Sequence, residues 1–471
     1  MIQPLSQVSS AVSSSTRRTW SDALDRAAQW ADQRDADAGL GTDTTVAWWA
    51  ATKAGLGLAA APLTLPALTV AAATATRIAN DRITRFPDHL HALAEGREPP
   101  LPGHRTQWSP ASERYLITSD LHRCIAGRLD WPGRQGVKDL YLAVIAGYAQ
   151  EGWHLIENGD VEDFWMVGGS TWGAVYDVAY LTGSAIGAGH GDPRRQVLAE
   201  QLDRIVDNNA EIYDLLREGY GRDGRYHRTM GNHDDVYADP GMVERLGHHL
   251  PGVEVADTIL LSNTLSSNTL SSNTSQDTSI SDVEAVVAHG HLTDPWNGHG
   301  FATLGHYVTW LVTGLDDLPG ARRVEQLPGD GLSRLLNGRA RNRLIQIGSR
   351  YGGNRRFDSL DEERLFAALR EQEPQGGWPW LVYGHTHFPM LSPLDAQGRP
   401  VRYANSGCGV LNGAISALEW DNSDPEHPLR LVVWRSTPDG PRRIELVPDG
   451  ASLRPVDERA GDERAVNESA R

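Results

Sequence analysis

The chain has 471 residues, with 44 Lys and Arg against 61 Asp and Glu and a net charge of -17. That acidic balance excludes a general nucleic-acid binder, which needs a basic surface to displace phosphate counterions, so any phosphate-bearing substrate must be attracted locally. Two cysteines, Cys124 and Cys408, exclude a disulfide framework and indicate a reducing compartment.

The residues from Met1 to Arg18 lack the apolar core of a secretory signal, and a cytoplasmic location is expected. Lysine occurs only at Lys53 and Lys138 beside abundant Arg, Ala and Gly, the usage of a GC-rich bacterial coding sequence. Residues 1–104 are expected to form an N-terminal, Ala-rich helical extension. Within it, the uncharged run from Ala54 to Thr76 is long enough to cross a hydrocarbon core of about 30 Å. Its Ala, Thr and Gly content and its Pro62 and Pro66 make a weak insertion signal. A helical hairpin packed on the main domain or on a partner is therefore expected, with membrane association through 54–76 as the alternative.

From about Arg105 short apolar strands alternate with amphipathic helices, the sign of an α/β domain. The predicted strands are Tyr115 to Thr118, His154 to Glu157, Tyr226 to Met230, Val283 to Ala288, Trp380 to Tyr383 and Arg402 to Ala404. Each is closed by polar or glycine residues, and ligands of open α/β sheets bind beyond the carboxyl ends of strands. A polar Ser-Asn-Thr repeat between Ser262 and Ser275 reads as a disordered loop insertion covering 262–280. The charged stretch 448–471 reads as a disordered tail.

Five of these strand ends carry polar clusters. Asp120 and His122 stand two residues apart and share one face of an extended segment. In Asn158-Gly159-Asp160, the glycine permits a tight turn, and the Asp160 carboxylate can bridge two cations because each oxygen takes one. In Gly231-Asn232-His233-Asp234, Asn232 offers an amide oxygen, His233 is placed to act as an acid, and Asp234 is near enough to orient its imidazole. His289-Gly290-His291 and His385-Thr386-His387 complete the set. Any one cluster alone is also an ordinary turn or a satisfied surface pair. Together they supply carboxylates, an amide and imidazoles without thiolate, a set suited to Mn, Fe or Zn, and too large for one ion. Two ions about 3.5 to 4 Å apart are what in-line displacement at phosphorus exploits.

In order and spacing these blocks resemble the calcineurin-like metallophosphoesterase superfamily, whose pattern is Asp-x-His, Gly-Asp-x-x-Asp, Gly-Asn-His-Asp/Glu, a single His and Gly-His-x-His; the match covers about Arg105 to Val447. The resemblance implies a four-layer sandwich of two mixed β-sheets flanked by helices, with the site at one edge. It implies that Asp120, His122 and His387 hold one divalent ion and Asn232, His289 and His385 the other, with Asp160 bridging. A bridging hydroxide would attack phosphorus and His233 would act as general acid, with Asp163 and Asp234 orienting imidazoles. Choosing His289 over His291 follows the usual strand-end placement. Position 163 is Asp where purple acid phosphatases carry a metal-binding Tyr, so a colourless centre is expected. The loop from Asp160 to Trp165 resembles that of UDP-diacylglucosamine hydrolase-like members, although His233 stands where those carry Arg. Arg123 is a candidate contact for a phosphate oxygen, and Trp165, Trp172 and Trp296 are candidate walls of the substrate pocket. The expected partner is a small phosphorylated substrate. The alternatives are a non-catalytic metal-binding interaction module of the same fold, or a membrane-associated assembly protein recruited by the N-terminal region.

Overall fold

Four-residue apolar stretches such as Tyr115–Thr118 and Trp380–Tyr383 form strands of two mixed sheets. The computed structural model describes residues 81–92, 105–126, 130–134, 136–167, 192–263, 282–293, 360–374, 376–409, 414–424, 426–449 and 452–456. The first sheet runs in the order β1 (Thr106–Pro110), β6 (Thr258–Ser262), β7 (Val283–Ala288), β8 (Trp380–Tyr383), β10 (Tyr403–Asn405) and β9 (Met390–Leu391). The second runs β14 (Ser452–Pro455), β13 (Gly440–Asp449), β12 (Leu429–Thr437), β11 (Ala414–Trp420), β2 (Tyr115–Thr118), β3 (His154–Asn158), β4 (Tyr226–Thr229) and β5 (Val255–Ala256). Strands β2 to β5 pair in parallel and β11 to β14 pair antiparallel, so this sheet changes character at the β2/β11 junction.

Period-two alternation sorts the side chains of each sheet onto two faces. Ile117 and Ile156 of the second sheet join Ile259, Val287 and Val382 of the first in one core cluster. Their neighbours Leu116 and Leu155 point the other way, into a cluster with α2 (Lys138–Gln150), α3 (Asp192–Asn208), α4 (Ala210–Leu215) and α5 (Pro240–His249). On the outer side of the first sheet, Leu260, Val286 and Leu381 meet α1 (81–92) and α6 (Leu360–Glu371). Both sheets are thus buried on both faces over these strands, which is why the strands read as continuous apolar runs.

Local signals fix the helices. α2 buries Leu140, Tyr141, Val144, Ile145 and Tyr148, the stripe that helical spacing requires. α5 begins at Pro240 with the Asp239 carboxylate accepting from the Gly241 amide at 2.9 Å, a capped start with proline at the first position.

One expectation changes. The tail does not lose order at 448: Pro448 pairs with Leu453 and Asp449 with Ser452, because β14 folds back on β13 and buries Leu453. Within the N-terminal region, α1 packs Ile83 and Leu90 against the first sheet. The run 54–76, the repeat insertion beyond Asn263, and Trp172 and Trp296 lie outside the described residues. Among the described residues no helix is long and apolar enough to cross a membrane, and Cys124 and Cys408 are both free and buried.

Candidate metal centre

The five polar clusters lie just beyond the carboxyl ends of β2, β3 and β4 of one sheet and β7 and β8 of the other, and the structure brings them to one place. Backbone hydrogen bonds zip their loops together. Asp120 N donates to Gly159 O (3.1 Å), His122 N to Asp160 O (2.9 Å), Phe164 N to His233 O (3.1 Å) and Gly384 N to His289 O (3.0 Å). These loops depart from ordinary backbone conformations. Six non-glycine residues with positive φ occur among the described residues, and five of them are Asp120 (52°), His122 (47°), Asp160 (51°), His385 (66°) and His387 (58°). Left-handed conformations cost energy in any residue with a Cβ, and they persist where surrounding structure over-determines them.

Glycines make room for the close approach. A Cβ at Gly231 would lie 2.1 Å from Asp160 Oδ1, and one at Gly159 would lie 2.5 Å from the His289 ring. The glycines of these motifs are therefore spacers between ligand-bearing loops as well as turn formers.

Three groups of potential ligands result, one of them His122, Asp163 and His233, and the other two hold the expected ligands. In the first of those two, Asp120, His122 and His387 bring their donor atoms within 4.8 Å of one another. His122 Nδ1 lies 2.9 Å from Asp163 Oδ2, so the proton belongs on that nitrogen and Nε2 keeps its lone pair. That Nε2 is 3.2 Å from His387 Nε2, which is 3.2 Å from Asp120 Oδ1. Two imidazole nitrogens facing each other beside a carboxylate need a proton or a cation between them. In the second group, Asp160, His289 and His385 converge in the same way. His289 Nδ1 donates to Asn158 O at 2.8 Å, leaving Nε2 turned to Asp160 Oδ2 at 3.2 Å and to Asp120 Oδ1 at 4.0 Å.

A cation fits this set on a direct test. Asp120 Oδ1 and His289 Nε2 are buried, make no hydrogen bond and meet only other candidate ligands, and the buried Asn232 Oδ1 likewise makes no hydrogen bond. Orphaned buried oxygen and nitrogen atoms of this kind are costly unless something satisfies them. Oxygen and imidazole donors without sulfur suit a divalent ion of borderline character. Charge at the centre is concentrated. Although burial opposes it, the neighbouring imidazoles hold the Asp160 and Asp120 carboxyls below the usual carboxylate range. Burial likewise opposes charge on His289, yet Asp160 and Asp120 lift it to about 9.

Asp163 sits between two imidazoles, its Oδ2 on His122 and its Oδ1 3.0 Å from His233 Nδ1. Burial lowers the His233 pKa, but Asp163 and Asp160 outweigh it and raise His233 to about 9. The Trp165 ring stacks on His233 with centroids 4.2 Å apart and planes at 27°.

Two expected roles do not fit their positions. Arg123 is 1% exposed and ion-paired with the buried Glu157, between the rings of Tyr141 and Tyr213, so it cannot reach a phosphate oxygen. Its side chain turns inward, where Glu157 neutralises it. Asp234 orients no imidazole; its Oδ1 accepts from Gly231 N (2.6 Å) and its Oδ2 from Val161 N (2.9 Å) and Arg228 (3.0 Å). His291 is buried with its ring 5.5 Å from that of His289 and 6.5 Å from that of His385, outside either ligand group.

Sequence reasoning missed Glu157, Glu162, Arg228 and Ser119. Ser119 donates to Asp120 Oδ2 at 2.5 Å, and Glu162 and Arg228 lie fully buried beneath the loops. The signal available for Glu162 was its place inside Gly-Asp-x-x-Asp. A scan against protein-family models, a search of curated proteins and a search of solved structures each find no match to this chain.

Proposed function

We propose that the chain is a metal-dependent phosphoesterase of the calcineurin-like metallophosphoesterase superfamily, built as a four-layer sandwich, that hydrolyses a phosphomonoester or phosphodiester. The observation that carries this reading is the convergence of six candidate ligands, Asp120, His122, Asp160, His289, His385 and His387, five of them in strained left-handed backbone, with buried side-chain atoms of Asp120, Asn232 and His289 that make no hydrogen bond. The core cluster shared by the two sheets, with helices on the outer side of each, supports the sandwich.

Asp120, His122 and His387 would hold one divalent ion, and Asn232, His289 and His385 a second, with Asp160 serving both. A bound pair supplies Lewis-acid neutralisation of phosphoryl charge and a water made nucleophilic at neutral pH. The chain's own residues do the rest. Asp163 fixes the His122 tautomer, so that Nε2 faces inward. His233 gives its Nδ1 side to Asp163, which leaves Nε2 to carry the proton donated to the leaving oxygen. Trp165 covers one face of that ring and excludes water from it. With Arg123 committed to Glu157, no arginine among the described site residues clamps the phosphate, and its charge falls to the cations and imidazoles.

The test is hydrolysis of a simple phosphomonoester against a simple phosphodiester by the chelated full chain, with Mn, Fe, Zn or Mg restored. Asp160→Asn should abolish most of the rate, and His233→Ala should cost about 10²- to 10⁴-fold, the usual worth of a positioned acid. Parental turnover in either variant refutes the mechanism. Ion uptake without turnover on either ester would favour the non-catalytic module.

A further inference from the structure

Beneath the centre, Arg228 on β4 is fully buried and holds two carboxylates at once. Its Nη1 donates to Glu162 Oε1 at 3.0 Å and its Nη2 to Asp234 Oδ2 at 3.0 Å, with a further short contact from Nη2 to Glu162. The Tyr237 hydroxyl also donates to Glu162 at 3.0 Å, and that of Tyr213 is bonded to it as well. Asp234 carries the connection onward, because its two oxygens accept from Gly231 N and Val161 N. Val161 follows Asp160, and Gly231 precedes Asn232 and His233. The guanidinium therefore ties the turn that carries the candidate bridging carboxylate to the turn that carries the amide ligand and the acid.

We infer that Arg228, with Glu162 and Asp234, is a positioning clamp that sets the spacing of Asp160 from Asn232 and His233 and so tunes ion affinity at the centre. The inference rests on the metal reading given above. Geometry supports it over simple core packing. A hydrophobic cluster of similar volume would fill the space without burying three charges, and such replacements are often tolerated or stabilising. What a hydrophobic cluster cannot do is hold two loops in register through a planar, five-donor fork. The backbone spacing is also tight, since Gly231 leaves no room for even a methyl group beside Asp160.

The experiment uses the full chain and Mn²⁺ alone, titrated into chelated protein by calorimetry well below the melting temperature. Arg228→Met combined with Glu162→Gln removes two of the three charges, keeps an acceptor for the tyrosine hydroxyls and leaves Asp234 its two backbone amide donors, so a folded protein is expected. It should retain the parental apo melting temperature within a few degrees while its Mn²⁺ affinity falls about 10- to 100-fold, the usual effect of removing groups that orient metal ligands. Arg228→Lys keeps one charge but cannot span both carboxylates; it is expected between the two, and it carries the test if the double variant does not fold. Parental Mn²⁺ affinity in the folded double variant, or in Arg228→Lys, overturns the clamp. Parent protein that takes up no Mn²⁺ overturns the metal reading itself, an outcome separate from failure of the clamp alone.

Discussion

Replacing Gly231 by alanine perturbs the centre at one point. Gly231 is absent from the residues with positive φ, so its backbone accepts alanine and the effect comes from the added methyl group alone. That Cβ would lie 2.1 Å from Asp160 Oδ1 and 2.4 Å from Asp160 N, whereas real Cβ contacts do not fall below 3.0 Å. Opening 2.1 to 3.0 Å moves the Asp160 carboxylate or the Gly231 turn by about 0.9 Å, and a misplacement of that size costs on the order of 10²-fold in rate. Turnover with Mn²⁺ and calorimetric Mn²⁺ affinity should both fall, read against Gly247→Ala in α5. There a Cβ meets nothing, and alanine should add up to about 1 kcal/mol of stability. Parental affinity and turnover in Gly231→Ala would show that Asp160 does not need its present position, and the bridging assignment would fail.

Chelation should lower the melting temperature, because Asp120 Oδ1, Asn232 Oδ1 and His289 Nε2 then stay buried without hydrogen bonds. An ion present at about 100 times its Kd contributes roughly 2.7 kcal/mol per site, a shift easily read by calorimetry, and no change on chelation and Mn²⁺ return would contradict ion binding. At the opposite end of β3 and β4, the stacked rings of His154 and His227 meet at 3.0 Å between Nδ1 and Nε2. Burial, then neighbouring Arg225 and His154 respectively, lowers their pKa values to about 4 and about 3. The unfolded chain binds these protons near pH 6.5 and the folded chain only well below it, so this contribution is whole above pH 6.5 and is lost as pH falls toward 3. At pH 5 the loss for His227 is on the order of 2 kcal/mol. Urea unfolding of chelated protein at pH 7.5 and 5 should show it, with a smaller pH slope for His227→Gln; equal slopes would refute the assignment.

Strands β2, β7 and β8 were legible to the residue, because each is a short apolar run buried on both faces and closed by a polar cluster. Strands β12 and β13 were not legible. Arg430, Arg435, Arg442, Arg443 and Glu445 break their apolar pattern, and their stability comes from pairing with β11 and with each other rather than from local propensity. β14 was hidden in a charged tail for the same reason; only the docking of Leu453 reveals it. At the centre the ligand positions were legible because each occupies the first turn beyond a strand. The direction of the supporting charges was not. Arg123 and Asp234 stand in the motifs like site residues, yet one turns inward to Glu157 and the other braces two loops, and that choice is made by partners 34 and 73 positions away.

The left-handed ligands admit a final discrimination between a turn that happens to carry histidine and a site that needs it. A left-handed position costs a residue with a Cβ roughly 1–2 kcal/mol relative to glycine, less for Asp and His than for branched residues. A purely structural turn gains by carrying glycine, and here five such positions carry Asp or His instead. His385, at φ 66°, offers one such case: its backbone nitrogen donates to Asp120 Oδ2 at 2.9 Å, a bond that survives truncation of the ring, which itself sits edge-on to His289. His385→Gly should therefore leave the chelated protein as stable as the parent or more stable by up to about 1 kcal/mol, while one Mn²⁺ is lost or bound far more weakly. Urea unfolding of the chelated forms and Mn²⁺ stoichiometry read the two effects separately. A chelated variant destabilised by more than about 1 kcal/mol, with Mn²⁺ binding intact, would mean that the imidazole is held for packing, and the strain at these loops would then have no functional account.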